Sequence, residues 1–281
     1  MLADIFIGLF IFTFGLCIGS FLNCFIYRLE QKKKITGRSF CPNCKHTLNW
    51  QDLIPVLSFL FLKEKCRYCR AKISPQYPIV ELVTGMIFLL ILNFKFEILN
   101  EFLIFQFLNL VFWLYIASAL IIIFVYDLKH YIIPDKVLFP AILIAFAYRL
   151  FENLNIVSFI ENWNLKIENF APLGNYFLAA IIGSGFFLFI FLISKGRWMG
   201  FGDVKLAVLM GLLLGVKNVL VALFLAFFLG AVISIILIVL NRKKLKSEIP
   251  FGPFLIAGTF LAMFWGQQLI LWYLNMFMIY A

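Results

Sequence analysis

The amino-acid sequence predicts an all-α protein that crosses a membrane several times. Hydrophobic residues make up 64% of the 281 residues and charged residues only 14%, which lies outside the range of soluble globular domains. Long apolar runs recur along nearly the whole chain and leave little sequence for a separate water-soluble core. The one markedly polar stretch, residues 28–78, separates the first two apolar runs. We therefore expect one polytopic membrane domain with one polar insertion.

The apolar runs predict about eight transmembrane helices. A membrane-spanning helix needs about 20 mainly apolar residues to cross a hydrocarbon core of about 30 Å. The shortest run, 204–216, has 13 residues and reaches only about 20 Å at a rise of about 1.5 Å per residue. We expect the spans at 5–26, 79–94, 102–126, 137–151, 176–194, 204–216, 219–240 and 254–280.

The distribution of basic residues predicts the orientation of the chain. Residues 28–72 contain 11 of the 24 lysines and arginines, and basic loops next to spans face the cytoplasm. This places the amino terminus outside, and the eight-span order then leaves 20 of the 24 basic residues on the cytoplasmic side. Topology and attraction to anionic membrane lipid explain the net charge of +10, so we expect no nucleic-acid partner.

Two CxxC pairs in the polar insertion predict a metal site. "CPNC" supplies Cys41 and Cys44, and "CRYC" supplies Cys66 and Cys69 after 21 intervening residues. Two such turns can present four thiolates to one tetrahedral Zn²⁺. Disulfides or redox cysteines are the alternatives, but stable disulfides are uncommon in the reducing compartment that the topology implies. We expect a closed, structural zinc site, and His46 is not needed because four thiols complete it.

Two acids lie at the cytoplasmic ends of predicted spans. Asp127 ends the third span and Asp203 begins the sixth, and acids at such places are candidates for function. Two carboxylates that face each other can share a proton, so that one activates water while the other polarises a carbonyl group. That chemistry is aspartyl proteolysis. A helix cap, or an ion pair with Lys129 or Lys205, explains the same acids without chemistry, and the residues alone leave these alternatives open.

Seven short segments occur in an order that is typical of one family of membrane proteases. They are "GSFLNCFIYRL", "RSFCPNC", "CRYC", "ISPQYPIVELVTG", "DLKHYIIPD", "GFGDVK" and "PFGPFL". With these segments the chain resembles the bacterial prepilin peptidases, the type IV leader peptidase family, over most of its length. The GxGD tetrad is also shared with the presenilin-like intramembrane proteases. Gln76 departs from the family's pattern, in which a basic residue precedes Tyr-Pro.

The resemblance implies a bifunctional enzyme of the bacterial inner membrane. Asp127 and Asp203 correspond to the family's catalytic aspartates, which cleave the basic leader from type IV prepilins or pseudopilins at the cytoplasmic face. S-adenosylmethionine then donates a methyl group to the new amino terminus. The glycine signature of a Rossmann methyltransferase is missing, so methylation is implied by the resemblance alone and its residues stay unassigned. Glu81 lies just inside the second span. It either takes part in methylation or makes an interhelical hydrogen bond.

The predicted organisation has three parts. They are a first transmembrane helix at 1–27, a zinc loop at 28–78 that we associate with methylation, and a protease domain of about seven helices at 79–281. A membrane transporter or channel is the alternative function, because intramembrane acids and short helices also build ion pathways. A transporter predicts inverted repeats, and the sequence has no convincing internal repeat. A zinc-loop scaffold without chemistry is a third reading.

Overall fold

The computed structural model describes residues 2–34, 36–95, 103–154, 171–240 and 248–278. Within these ranges every regular element is a helix, and β pairing is limited to two isolated bridges. This confirms the predicted all-α fold class. Besides a short 3-10 helix at Trp50–Leu53, the elements are α1 (Leu2–Glu30), α2 (Leu57–Phe61), α3 (Gln76–Lys95), α4 (Leu103–His130), α5 (Asp135–Leu154), α6 (Ala171–Ser194), α7 (Phe201–Val239) and α8 (Gly252–Met278).

Among the described residues, six helices are long and apolar enough to cross a membrane, as expected for a multi-pass membrane protein. Two features account for the difference from eight predicted runs. The run 137–151 lies in α5, which carries charged residues near both ends and is not among the six. The runs 204–216 and 219–240 both belong to α7, which continues across a kink. The predicted start at 102 and the predicted end at 280 lie outside the described residues.

The chain divides into two compact units, Met1–Ile122 and Ile123–Ala281. The first unit contains α1, the polar insertion, α3 and most of α4. The second contains the last turns of α4 and the helices that follow it. The four-cysteine insertion lies between the first and second membrane-spanning helices, as the sequence predicts.

In the first unit, α1 packs against α3 through glycines. A Cβ atom added to Gly15 would lie 2.7 Å from the Cα atom of Gly85, and one added to Gly19 would lie 2.7 Å from the Cα atom of Glu81. No side chain fits at such distances, so the two backbones are in direct contact. Small residues at four-residue spacing allow this close approach between transmembrane helices.

In the second unit, α7 packs closely against both α6 and α8. A Cβ atom added to Gly211 would clash with the backbone of Ala180 in α6, and one added to Gly258 of α8 would clash with the carbonyl oxygen of Ala222. Backbone contacts on both sides fix α7 between its neighbours. This packing buries much of α7, including Asp203 in its first turn.

The kink in α7 lies at Gly215, whose φ of 72° and ψ of 172° are not helical. A positive φ is accessible to glycine at little cost. The buried guanidinium group of Arg149 donates hydrogen bonds to the carbonyl oxygens of Leu212 at 2.9 Å and Leu213 at 2.8 Å. A side chain of α5 therefore caps the first segment of α7, 201–214, which is short, as the sequence predicts.

We predict that Arg149→Leu destabilises the protein by roughly 3 kcal/mol, because two hydrogen bonds from a charged donor to buried carbonyl groups are lost. Thermal unfolding of the detergent-solubilised protein measures the effect. The control is Glu152→Ala, which removes only the ion pair between Arg149 and a half-exposed carboxylate. Equal losses for both variants would show that the ion pair, and not the helix cap, is what matters.

Candidate active site and metal-binding cluster

Asp203 lies in the first turn of α7. Gly200 is the N-cap residue, with an extended backbone (φ −76°, ψ 148°), and its N–H group donates a hydrogen bond to the Asp203 carboxylate. The backbone N–H of Asp203 donates in turn to the carbonyl oxygen of Gly200 at 3.2 Å. Gly200, and not Asp203, is therefore the N-cap, so the expectation that Asp203 precedes the helix as its cap is wrong. Asp203 is only 7% exposed. A solvated surface cap would not be buried in this way.

Asp127 lies in the last turns of α4 and is 4% exposed. Its carboxylate accepts a hydrogen bond from the backbone N–H of Gly252, the first residue of α8. The contact is close, because a Cβ atom added to Gly252 would clash with Oδ2 of Asp127 and lie 3.2 Å from its Cγ. Both acids thus receive a backbone N–H group from the beginning of a helix, where the helix dipole favours negative charge.

The two carboxylates lie near enough for their charges to interact. Ile133, in the loop after α4, packs beside them. A Cβ atom added to Gly202 would lie 3.1 Å from Cβ of Ile133, and one added to Gly252 would lie 3.4 Å from its Cδ1. Three predicted segments, "DLKHYIIPD", "GFGDVK" and "PFGPFL", therefore meet at one place in the second unit.

The nearest lysine of α7 is engaged elsewhere. Lys205 donates to the two carboxylate oxygens of Asp135 at 2.8 and 2.9 Å, which excludes it as the ion-pair partner that would explain Asp203. Two buried carboxylates that interact can hold one proton between them, so that one acts as a base while the other donates a hydrogen bond. The arrangement is therefore suited to activating a water molecule against a carbonyl group.

The four predicted metal ligands come together in the first unit. The Sγ atoms of Cys41, Cys44, Cys66 and Cys69 all lie within 4.8 Å of one another. A tetrahedron with metal–sulfur bonds of about 2.3 Å has edges of about 3.8 Å, and the Sγ atoms of Cys41 and Cys69 are 3.9 Å apart. The cluster has the donor type and the dimensions of a four-thiolate metal site.

Each CxxC pair forms the same tight turn. In the first, the N–H of Lys45 donates to the carbonyl oxygen of Cys41, and a bridge joins Phe40 to Thr47. The second repeats this pattern 25 residues later, since Arg70 bonds to Cys66 and a bridge joins Lys65 to Lys72. Lys45 and Arg70 both have a φ of 60°. The two turns are therefore equivalent halves of one small unit. In the sequence, the two CxxC pairs are the feature that indicates this repeat.

Side-chain hydrogen bonds contact the Cys69 thiol and connect the second turn to the 3-10 helix. The side-chain amide of Asn43 donates to Sγ of Cys69 at 3.5 Å, and this bond lowers the pKa of the Cys69 thiol to about 6. Asp52 accepts from Nε of Arg67 at 2.7 Å and from the hydroxyl of Tyr68 at 3.1 Å. Burial works against ionisation of Asp52, but these bonds outweigh it and lower its pKa. The ring of His46 packs against that of Tyr68 in a tilted arrangement, with centroids 3.7 Å apart, outside the four-thiol group.

Glu81 makes the interhelical hydrogen bond that was one of its two expected roles. Its buried carboxylate in α3 accepts from the hydroxyl of Ser20 in α1. It also accepts from the backbone N–H of Val56 in the insertion, with 2.7 Å between nitrogen and Oε2. Gln76, the departure from the family's pattern, donates to the side-chain oxygen of Asn23 in α1 at 3.2 Å. The contacts of both residues connect α3 to other parts of the first unit.

Sequence reasoning missed Gly252 and Ile133 as parts of the carboxylate site. Gly252 is 125 residues from Asp127, and only its place in "PFGPFL" singled it out. Ile133 is an ordinary apolar residue, and nothing in its type indicates that it packs against two glycines. The segments that carry these residues were recognised, but the contacts between them depend on the fold.

Comparison with known proteins identifies relatives of both halves of the chain. The bacterial peptidase A24 N-terminal domain matches residues 13–94, which include the four cysteines. The type IV leader peptidase family matches residues 114–235, which include Asp127 and Asp203. No solved structure matches the chain.

Individual relatives match over nearly their full length. The prepilin leader peptidase/N-methyltransferase of Bacillus subtilis (strain 168) is 34% identical, with 95% of this chain and 97% of the relative covered. The protein of the same name from Legionella pneumophila is 30% identical, with 97% and 96% covered. The one from Aeromonas salmonicida (strain A449) is 29% identical, with 94% and 93% covered.

Proposed function

This chain belongs to the type IV leader peptidase family, and we propose that it removes the leader from type IV prepilins or pseudopilins and methylates the new amino terminus. The relatives share the name prepilin leader peptidase/N-methyltransferase, and the match extends over nearly the whole chain. A transporter or channel is not favoured, because no relative that we compared carries such a name. The enzyme is an aspartic endopeptidase with a second, methyltransferase activity.

The proposed protease activity is supported above all by the pair of buried acids. Asp127 and Asp203 come from different helices, interact through their charges, and each accept a backbone N–H group at the start of a helix. Burial of two acids is costly unless hydrogen bonds or a shared proton compensate for it. A purely structural role for Asp203 does not explain why a second carboxylate is buried beside it, because this adds desolvation and charge repulsion.

In the proposed reaction, one carboxylate is ionised and the other holds the shared proton. The ionised carboxylate accepts a proton from water while the water oxygen attacks the carbonyl carbon of the scissile peptide bond. The protonated carboxyl group donates its proton to the carbonyl oxygen, which stabilises the developing charge. Collapse of the tetrahedral intermediate breaks the C–N bond. The acid that took the proton from water passes it to the leaving amine, and a hydroxyl group of the intermediate returns its proton to the other carboxylate, which restores the acid pair.

A glycine beside Asp203 favours a peptide substrate. A Cβ atom added to Gly200 would lie 3.9 Å from Oδ2 of Asp203, so the bare glycine leaves space beside the carboxylate, whereas Gly202 packs against Ile133. An extended substrate backbone can therefore come close to the acids. A prepilin has a basic leader followed by an apolar helix, so its cleavage junction lies at the cytoplasmic interface. We place the acids at that interface in the inner membrane, with the amino terminus of the enzyme outside.

The methyltransferase part uses S-adenosylmethionine as donor. S-adenosylmethionine would supply the methyl group to the amine nitrogen that cleavage releases. The bond between its sulfur and the methyl carbon would break, and S-adenosylhomocysteine and a proton would leave. We associate this activity with the loop at residues 28–78. We assign residues 1–27 to the first membrane helix and residues 79–281 to the protease domain. The relatives' combined name supports a second activity, and we assign no methyl-transfer residue.

We further propose that the four cysteines bind a structural Zn²⁺ ion. Four thiols with this spacing complete a tetrahedral site and leave no position open for substrate. The insertion is too small to bury a core of its own, so metal binding supplies folding free energy to it. The metal would hold the two equivalent turns together, and the protease chemistry would not use it.

We predict that Asp127→Asn and Asp203→Asn each reduce leader cleavage at least about a thousandfold, as expected when one member of a catalytic unit is removed. A carboxamide has nearly the same shape as a carboxylate but cannot exchange the proton. Mass spectrometry of a prepilin incubated with the purified enzyme measures cleavage. The matched control is Asp135→Asn, a partly exposed acid of the same region that pairs with Lys205. Near-normal turnover by either aspartate variant would remove that acid from the mechanism.

Gly252→Ala should reduce cleavage by up to about 100-fold, because a displacement of about 1 Å in an active site can have that effect. The added methyl group would clash with the Asp127 carboxylate. Gly174→Ala and Gly185→Ala are matched controls, since a Cβ atom at either position meets nothing within 4 Å. Rates of cleavage by folded, detergent-solubilised protein test this. Full activity of Gly252→Ala would show that the backbone of α8 does not position Asp127.

Replacing Cys41 or Cys69 with serine should release the metal and loosen the insertion, since structural zinc and loop folding are coupled. Elemental analysis should find about one zinc per chain in the native protein, as a four-thiolate site binds one ion, and much less in the variants. Cys17→Ser, on an exposed face of α1, serves as the control and should retain the metal. Native protein with all four thiols free and no zinc would disprove the proposal.

A further inference from the structure

The insertion has an exposed apolar surface that neither the acid pair nor the four-cysteine cluster explains. The 3-10 helix, α2 and the turn between them present six large apolar side chains outward, a surface that we call the apolar ridge. Phe61 is 81% exposed and Trp50 73%. Such a group is unusual outside membrane-spanning segments and indicates a binding surface. The apolar ridge consists of Trp50, Leu53, Ile54, Leu57, Leu60 and Phe61.

A hydrogen bond fixes the depth of the apolar ridge relative to the membrane-spanning helix α3. The N–H of Val56, between Ile54 and Leu57 of the ridge, donates to Glu81 at 2.7 Å. Glu81 is five residues after Gln76, the first residue of this span, and a helix rises about 1.5 Å per residue. The backbone of Glu81 therefore lies about 8 Å along the span, and its side chain holds the middle of the ridge beside the first turns of α3.

The backbone at Val56 is unusual and supports a fixed position. Val56 has a φ of 61° and a ψ of −52°, and the N–H of Leu57 donates to the carbonyl oxygen of Pro55 at 2.6 Å. This is a γ-turn with positive φ, a strained form that is rare for any residue and costly for a β-branched one. Such strain persists only where surrounding contacts determine it, and the bond to buried Glu81 is one such contact.

The charges around the apolar ridge indicate which surface it meets. Residues 28–78 contain eleven lysines and arginines but only three acidic residues. Lys63 and Lys65 are exposed and follow the ridge directly. Basic side chains beside tryptophan, phenylalanine and leucine are typical of segments that lie in the interface of an anionic bilayer. A basic prepilin leader would be repelled by the same charges.

We propose that the apolar ridge inserts into the anionic lipid leaflet on its own side of the membrane and anchors the insertion there. Trp50 and Phe61 lie among the acyl chains near the headgroups, and Lys63 and Lys65 reach the lipid phosphates. The anchor holds the four-cysteine cluster against the membrane surface beside α1 and α3. It does not depend on either enzymatic activity.

The test is quenching of Trp50 fluorescence in the full-length protein, reconstituted into vesicles that contain phosphatidylglycerol. Subtracting the emission of Trp50→Phe isolates the Trp50 signal from those of the other tryptophans. We expect lipids brominated near the headgroup end of the acyl chains to quench this signal, and we expect acrylamide in the water to have little effect. Replacing phosphatidylglycerol with phosphatidylcholine should weaken the lipid quenching.

A pair of variants keeps the test specific. Leu60→Glu with Phe61→Glu should move Trp50 into water, with a red-shifted emission, loss of quenching by brominated lipid and gain of quenching by acrylamide. Gln51 is an exposed neighbour outside the ridge. Gln51→Glu should leave the emission wavelength, the quenching by brominated lipid and the quenching by acrylamide unchanged. Metal content establishes that the insertion still folds in both.

The opposite pattern overturns the proposal. If brominated lipid leaves Trp50 emission unchanged and acrylamide quenches it freely, the ridge does not lie in the bilayer. If only an added prepilin shields Trp50 from acrylamide, the surface binds a protein partner instead of lipid.

Discussion

The burial of two carboxylates in one place is the constraint on which the second unit depends. A buried carboxylate is stable only when donors or a proton compensate for the water it has lost. Asp203 and Asp127 obtain donors from Gly200 and Gly252, which stand at the beginnings of α7 and α8. Because helix beginnings have unsatisfied N–H groups and a positive dipole, the positions of these two helices determine where both acids can lie.

The same rule, that a buried polar group needs a partner, orders other parts of the molecule. Arg149 satisfies the carbonyl groups freed at the break of α7 and so sets the length of the segment that begins at the acid pair. In the first unit, Glu81 satisfies the backbone N–H of Val56 and holds the insertion to α3. Asp52 joins the 3-10 helix to the second cysteine turn through Arg67. Each of these groups links two separate elements of the fold.

Much of this organisation could be predicted from the sequence, because its signals are local. Apolar runs predict spans, CxxC spacing predicts the thiol cluster, and the short run from Val204 predicts the early end of a helix that the structure places at Gly215. Contacts across long separations could not be predicted. No local pattern indicates that Gly252 donates to Asp127 or that Lys205 pairs with Asp135. Helix packing determines those contacts. Residue type alone does not show which glycine or which lysine will make them.

The most direct test of the central claim is a double-mutant cycle on the acid pair. The specificity constant for prepilin cleavage would be measured for the native enzyme, for Asp127→Asn, for Asp203→Asn and for the variant with both changes. If the two carboxylates act as one proton-sharing unit, the double variant should be no slower than either single variant, because removing one acid already abolishes the shared function. Losses that multiply in the double variant would mean that the acids act independently, and this result would contradict the account.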